Sequence, residues 1–123
     1  SLSDNVTTNN VSDEEGAGDS LLEYYRALYQ LRAAYPHVAA GAITVQSSAG
    51  DPVLVFRRVL GDSIAIVVIN FATTAQQVDV DAGTALTSFD AVFGTIGQVT
   101  ADLNAIFTLN VPARTALVYV NLP

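Results

Sequence analysis

VLVFRRVLGDSIAIVVINF, residues 53–71, reads as two strands and the turn between them. Gly61-Asp62 is a two-residue Gly-X connector of the kind that suits a type II′ hairpin turn. Val53 to Leu60 leads into it, and Ser63 to Phe71 leaves it apolar on both faces. A strand apolar on both faces is a central one, with its outer face covered by another layer. Working outward, Ala42 to Ser47 is a weaker strand, set off by Gly41 and by the turn cluster Ser48-Ala49-Gly50-Asp51-Pro52. Gln76 to Ala82 alternates, with Val78 and Val80 inward and Asp79 and Asp81 outward. Leu86 to Phe93 is a shorter run, and Asn104 to Val111 with Thr115 to Leu122 forms a last pair around Pro112-Ala113-Arg114. Short strands at this spacing predict an all-β fold over residues 42–123, an antiparallel β-sandwich, Greek-key-like, of six to eight strands.

Upstream, SLLEYYRALYQLRAAYP, residues 20–36, is the one clear helix in the chain. Ser20 stands three residues before Glu23, the spacing of a capping box. Pro36 restricts Tyr35 and cannot continue the helical hydrogen bonding. The segment is therefore expected to be one N-terminal α-helix, after a polar leader, residues 1–19, that is extended or poorly ordered. At about 100° per residue, Leu21, Leu22, Tyr24, Tyr25, Leu28, Tyr29, Leu31 and Tyr35 cover an arc of roughly 180°. A surface helix needs a stripe of only ~100°. This helix is built to touch two things. Arg32 falls within the arc, where an unpaired guanidinium is costly, so a structural ion pair is expected there.

Composition narrows the function. The chain has 123 residues and half are apolar, enough for one domain with a real core. The longest apolar run, Ile64 to Ile69, is far short of the about 20 residues that a membrane span needs. No signal peptide is visible. The sequence contains no Met, so Ser1 is expected to be a processed end or a cut inside a longer protein, and the compartment stays open. Without Cys there are no disulfides, thiolate metal sites or thiol nucleophiles. Five basic residues against twelve acidic ones give a net charge of −7, which disfavours nucleic acid and anionic membrane as partners. Asn5-Val6-Thr7 and Asn10-Val11-Ser12 match the N-glycosylation sequon.

The residue types that catalysis needs are sparse. A Ser-His-Asp triad has only His37 to build on, and His37 reads as a loop residue. The cluster Asp13-Glu14-Glu15 with Asp19 matches no calcium loop, and Gly94-Thr95-Ile96-Gly97 lacks the Lys of a phosphate loop. Asp51, Asp62, Asp79, Asp81, Asp90 and Asp102 fall at turns or on wet strand faces, with no spacing that makes a paired-acid cleft. Phe56, Phe71, Phe107 and Tyr119, with Phe89 and Phe93, read as core. No catalytic residue, metal ligand or cofactor is expected.

The order of these segments is informative. SLLEYYRALYQLRAAYPHVAAG, residues 20–41, resembles the last barrel helix and exit loop of glycoside hydrolase family 13, the alpha-amylase family. VLVFRRVLGDSIAIVVINFA, residues 53–72, is similar to the first hairpin of that family's C-terminal domain. LNVPARTALVYV, residues 109–120, is similar to its last, and Asn10-Val11 resembles the pair that precedes the helix in many members. The resemblance implies a helix from a missing (β/α)8 barrel followed by the C-terminal β-sandwich. The family's nucleophile Asp, acid/base Glu and stabilising Asp lie on barrel strands, and none of those motifs occurs here.

The resemblance thus implies a non-catalytic accessory domain of an enzyme acting on α-glucosidic bonds, one that shields and stabilises the barrel. Its partner is the barrel of the same polypeptide, packed on Leu21, Leu22, Tyr24, Tyr25, Leu28, Tyr29, Leu31 and Tyr35. Some of these eight should stay uncovered by their own domain and invite self-association. A starch- or maltooligosaccharide-binding module using the helix tyrosines is the alternative, and a free-standing cell-surface sandwich is the third.

Overall fold

A computed structural model describes residues 11–48 and 50–121, with side chains from Leu21 onward. Two helices, α1 (Val11–Ala34) and α2 (Pro36–Ala39), precede eight strands: β1 (Ala42–Val45), β2 (Val53–Leu60), β3 (Ser63–Asn70), β4 (Gln76–Asp81), β5 (Ser88–Phe93), β6 (Gln98–Thr100), β7 (Ile106–Val111) and β8 (Ala116–Asn121). The strands form a six-stranded sheet, ordered β1-β2-β3-β8-β5-β6, and a two-stranded sheet, β4-β7. Every pairing is antiparallel. The chain leaves the large sheet for β4, returns for β5 and β6, leaves again for β7 and returns as β8, the Greek-key habit of crossing between layers.

The hairpin β2–β3 takes the expected register, from Val53 opposite Asn70 to Leu60 opposite Ser63. Gly61 has φ +60, the left-handed value that the first turn position of a type II′ hairpin requires. Residues Ile64 to Asn70 are all buried, because each face of β3 meets its own layer. Ile64, Ile66 and Val68 join Val53, Val55, Phe89, Leu117 and Tyr119 in a core closed by Val80, Phe107, Leu109 and Val111 of the small sheet. Ala65, Val67 and Ile69 join Phe56, Val118 and Val120 in a second core under Ala27 and Leu31 of α1 and Val38 of α2. The protein is thus three layers: helices, large sheet, small sheet. In β4, Val80 is buried, Val78 half-buried, and Asp79 and Asp81 exposed, as the alternation requires.

Asn70 ties the layers together. It is fully buried. Its Nδ2 donates to the carbonyls of Thr74, Val111 and Pro112 at 2.9, 3.0 and 3.2 Å. Its Oδ1 accepts from the Ala72 amide at 2.8 Å.

Several expectations need correction. The helix does not begin at Ser20: α1 starts at Val11, so residues 11–19 are helical and not an extended leader. The residues before Val11, including the sequon at Asn5 and the Asn10 position, lie outside the described residues. Pro36 does stop α1, but it then opens a second helix, α2, as its first residue. Gln98-Val99-Thr100 forms a strand that the pattern of the sequence did not mark. Phe71 sits just beyond β3 and is exposed, because the chain turns out of the sheet after Asn70.

Candidate functional site

The apolar arc of α1 divides in two. Tyr24, Ala27, Leu28, Leu31 and Tyr35 recur at helical spacing and pack on the large sheet. Ala27 and Leu31 are buried, and Tyr24, Leu28 and Tyr35 are half-buried. Tyr24 meets Phe56 of β2 edge to face, with ring centroids 6.3 Å apart. The rest of the arc faces solvent: Leu21 is 43% exposed, Leu22 47%, Tyr25 59% and Tyr29 73%. Setting the middle of the buried stripe at zero, these four lie between about 60° and 160° around the axis. Of the eight candidates, one stripe thus belongs to this domain, and Leu21, Leu22, Tyr25 and Tyr29 form a second stripe beside it.

A second exposed apolar feature lies on β1. Ile43 and Val45 oppose Arg58 and Phe56, so they point to the helix side of the sheet. Both are more than half exposed. The ring centroids of Tyr25 and Tyr24 are 5.6 Å apart and Tyr24 meets Phe56, so an aromatic row leads from the exposed stripe of the helix to β2.

Arg32 is exposed. Among the described residues the ion pairs are Arg26–Glu23, at 2.9 Å, and Arg57–Asp81, at 3.8 Å. His37 is exposed on α2.

The carboxylates hold turns and ladders. Asp51 accepts from the Ser48 amide at 2.8 Å, and Asp81 from the Gly83 amide at 2.8 Å. One oxygen of Asp102 accepts from the amides of Asn104 and Ile106. Asp79 pairs with the Thr108 hydroxyl across β4–β7, and Asp90 with the Gln98 amide across β5–β6. Among the described residues no three His, Asp or Glu side chains gather into a metal site, and no helix is long and apolar enough to cross a membrane.

No protein-family model and no curated protein matches the chain. Solved structures share its fold. An alpha-amylase from Geobacillus thermoleovorans, complexed with acarbose, superimposes with a TM-score of 0.64 at 23% identity, over 76% of this chain and 21% of its own. An Anoxybacillus alpha-amylase gives 0.63 at 20% identity, over 76% and 20%. The alpha-amylase from H. orenii gives 0.56 at 26% identity, over 85% and 21%. A GH30 endoxylanase from Clostridium papyrosolvens shares the fold at a TM-score of 0.50, so the fold alone names no substrate. The chain spans about a fifth of the length of the alpha-amylases it matches, and it has the fold of that fifth.

Proposed function

We propose that this chain is a non-catalytic accessory domain of an alpha-amylase-like glycoside hydrolase acting on α-glucosidic bonds. On this reading residues 42–123 are its C-terminal sandwich, and residues 20–36 are the end of the last helix of a catalytic barrel on the same polypeptide. One observation carries the reading: α1 buries one apolar stripe on its own sandwich and leaves a second, of Leu21, Leu22, Tyr25 and Tyr29, to solvent. The fold likeness to part of several alpha-amylases supports it. The domain's work is then structural. Covering four half-exposed apolar side chains is worth on the order of 4 kcal/mol, shared by the two bodies that meet there.

The test uses the polypeptide encoded by the gene that contains these residues. L22E/Y29E should lower its melting temperature and shorten its half-life of activity, while leaving the melting of the 123-residue chain nearly unchanged. Activity and melting that survive deletion of residues 42–123 would refute the accessory role. A second reading rests on the exposure of Tyr25 and Tyr29, which leaves their rings open to a sugar. Titration with maltoheptaose, followed by Tyr fluorescence, removes it if no saturable change appears.

A further inference from the structure

We infer that the surface covering the second stripe of α1 carries a carboxylate that pairs with Arg32. This rests on the reading of α1 as the junction with a barrel, and adds the chemistry of the surface that meets it. At about 100° per residue, Arg32 falls at about 80° from the buried line, between Leu21 at about 60° and Tyr25 at about 100°. Along the axis it follows Tyr29 by three residues, about 4.5 Å, so it ends the stripe at the C-terminal end of α1.

Among the residues of α1 whose side chains are described, the stripe contains no acid. Glu23 is the single carboxylate from residue 21 to residue 35. It lies at about 260°, on the far flank, and is engaged by Arg26 at 2.9 Å. The other cation on the helix side of the sheet, Arg58, donates to the Gly41 carbonyl at 3.2 Å. Of these three cations, Arg32 alone has no carboxylate or carbonyl partner among the described residues. In a protein with net charge −7, the docking stripe is therefore apolar with one positive charge. That pattern is complementary to an apolar surface bearing an acid.

Closure of the interface strips water from the guanidinium. A buried guanidinium left unpaired is strongly unfavourable, whereas its planar fork takes a carboxylate through two parallel hydrogen bonds. Leu28 and Tyr29, at i−4 and i−3, flank its stem and limit where the fork can reach. The guanidinium thus fixes the register of the helix on its neighbour, as a single buried polar group does in helix pairs.

The experiment compares wild type, R32M, R32E and L22E/Y29E in the full-length polypeptide and in the 123-residue chain. R32M and R32E should lower the melting temperature of the full-length protein by several degrees, with R32E the larger effect. In the 123-residue chain, where Arg32 is exposed, each should move it by less than about 1 °C. The difference between wild type and R32M should shrink as the pH falls through about 4, where the partner carboxylate protonates. A difference that does not change with pH identifies a carbonyl acceptor and overturns the inference. Loss of melting temperature in L22E/Y29E but not in the Arg32 variants overturns it while leaving the junction in place. Full-length protein indifferent to all three variants overturns the junction itself. Dimers of the 123-residue chain that dissolve on R32E would make a second copy the occupant, and would overturn it as well.

Discussion

Replacing Asn70 tests how the two sheets are joined. Asn70→Ala removes two N–H donors, shared among the carbonyls of Thr74, Val111 and Pro112, and the acceptor of the Ala72 amide. At about 1 kcal/mol net for each of these three groups, with about 1 kcal/mol more for the buried Val111 carbonyl left unpaired, the loss is about 4 kcal/mol. The Thr74 and Pro112 carbonyls are only partly buried and recover some of it from water, whereas the Val111 bond is buried and recovers nothing. The expected loss is about 3–4 kcal/mol, a large fraction of the stability of a domain this size. With a urea m-value of about 1.5–2 kcal/mol/M, the unfolding midpoint should fall by roughly 2 M. Asn70→Asp is the sharper variant, because it keeps the shape and the acceptor for Ala72 but turns an anion toward three carbonyl oxygens. Burial and those oxygens raise the folded-state pKa of the new carboxyl above its unfolded value of about 3.9. The folded state then holds the proton longer than the unfolded state, so the variant is least impaired below pH 4 and loses stability as the pH rises. Midpoints followed by circular dichroism at pH 4 and pH 7 decide it. A shift below about 0.5 M in the alanine variant, or an aspartate variant no worse at pH 7 than at pH 4, would refute this account of Asn70.

Other substitutions follow from local geometry. A Cβ on Gly94, at φ +83, would stand 2.1 Å from the Ala116 carbonyl oxygen, so Gly94→Ala should cost 3 kcal/mol or more in urea unfolding, on the order of the largest single-site effects. Gly61→Ala meets nothing within 4 Å and should cost only about 1 kcal/mol, the backbone cost of its positive φ. Leu31→Ala, in the core under α1, should cost about 2–5 kcal/mol in the 123-residue chain, and Tyr29→Ala, on the open stripe, less than about 0.5 kcal/mol. Burial raises the pKa of the Tyr119 phenol, so its contribution to stability is complete below pH 10 and is lost as the pH rises further; Tyr119→Phe should flatten that alkaline loss.

Much of the fold was legible in the residues, for identifiable reasons. The hairpin β2–β3 announces itself because Gly61-Asp62 supplies a turn of the right twist between two β-branched runs, and the double apolar face of β3 demands layers on either side. Strand β6 was hidden because Val99 is its only apolar residue, and its pairing of Ser88 with Thr100 is made by polar side chains. The true start of α1 was hidden by the Ser20–Glu23 pattern, a helix-start signature that here lies inside a helix already under way. The division of strands between two sheets depends on contacts such as β3 with β8, some fifty residues apart, which no local pattern carries. The same limit applies to the interaction face. Periodicity marks eight apolar positions on one side of α1, but only the packing of the helix on β3 and β8 shows which half stays open.

The central claim is that this open half is covered by another body of the same polypeptide. Hydroxyl-radical footprinting read by mass spectrometry, at Tyr25 and Tyr29 in the full-length polypeptide and in the 123-residue chain, tests it most directly. The account predicts that both tyrosines react freely in the 123-residue chain and are strongly protected in the full-length protein. Equal reactivity in the two would contradict it.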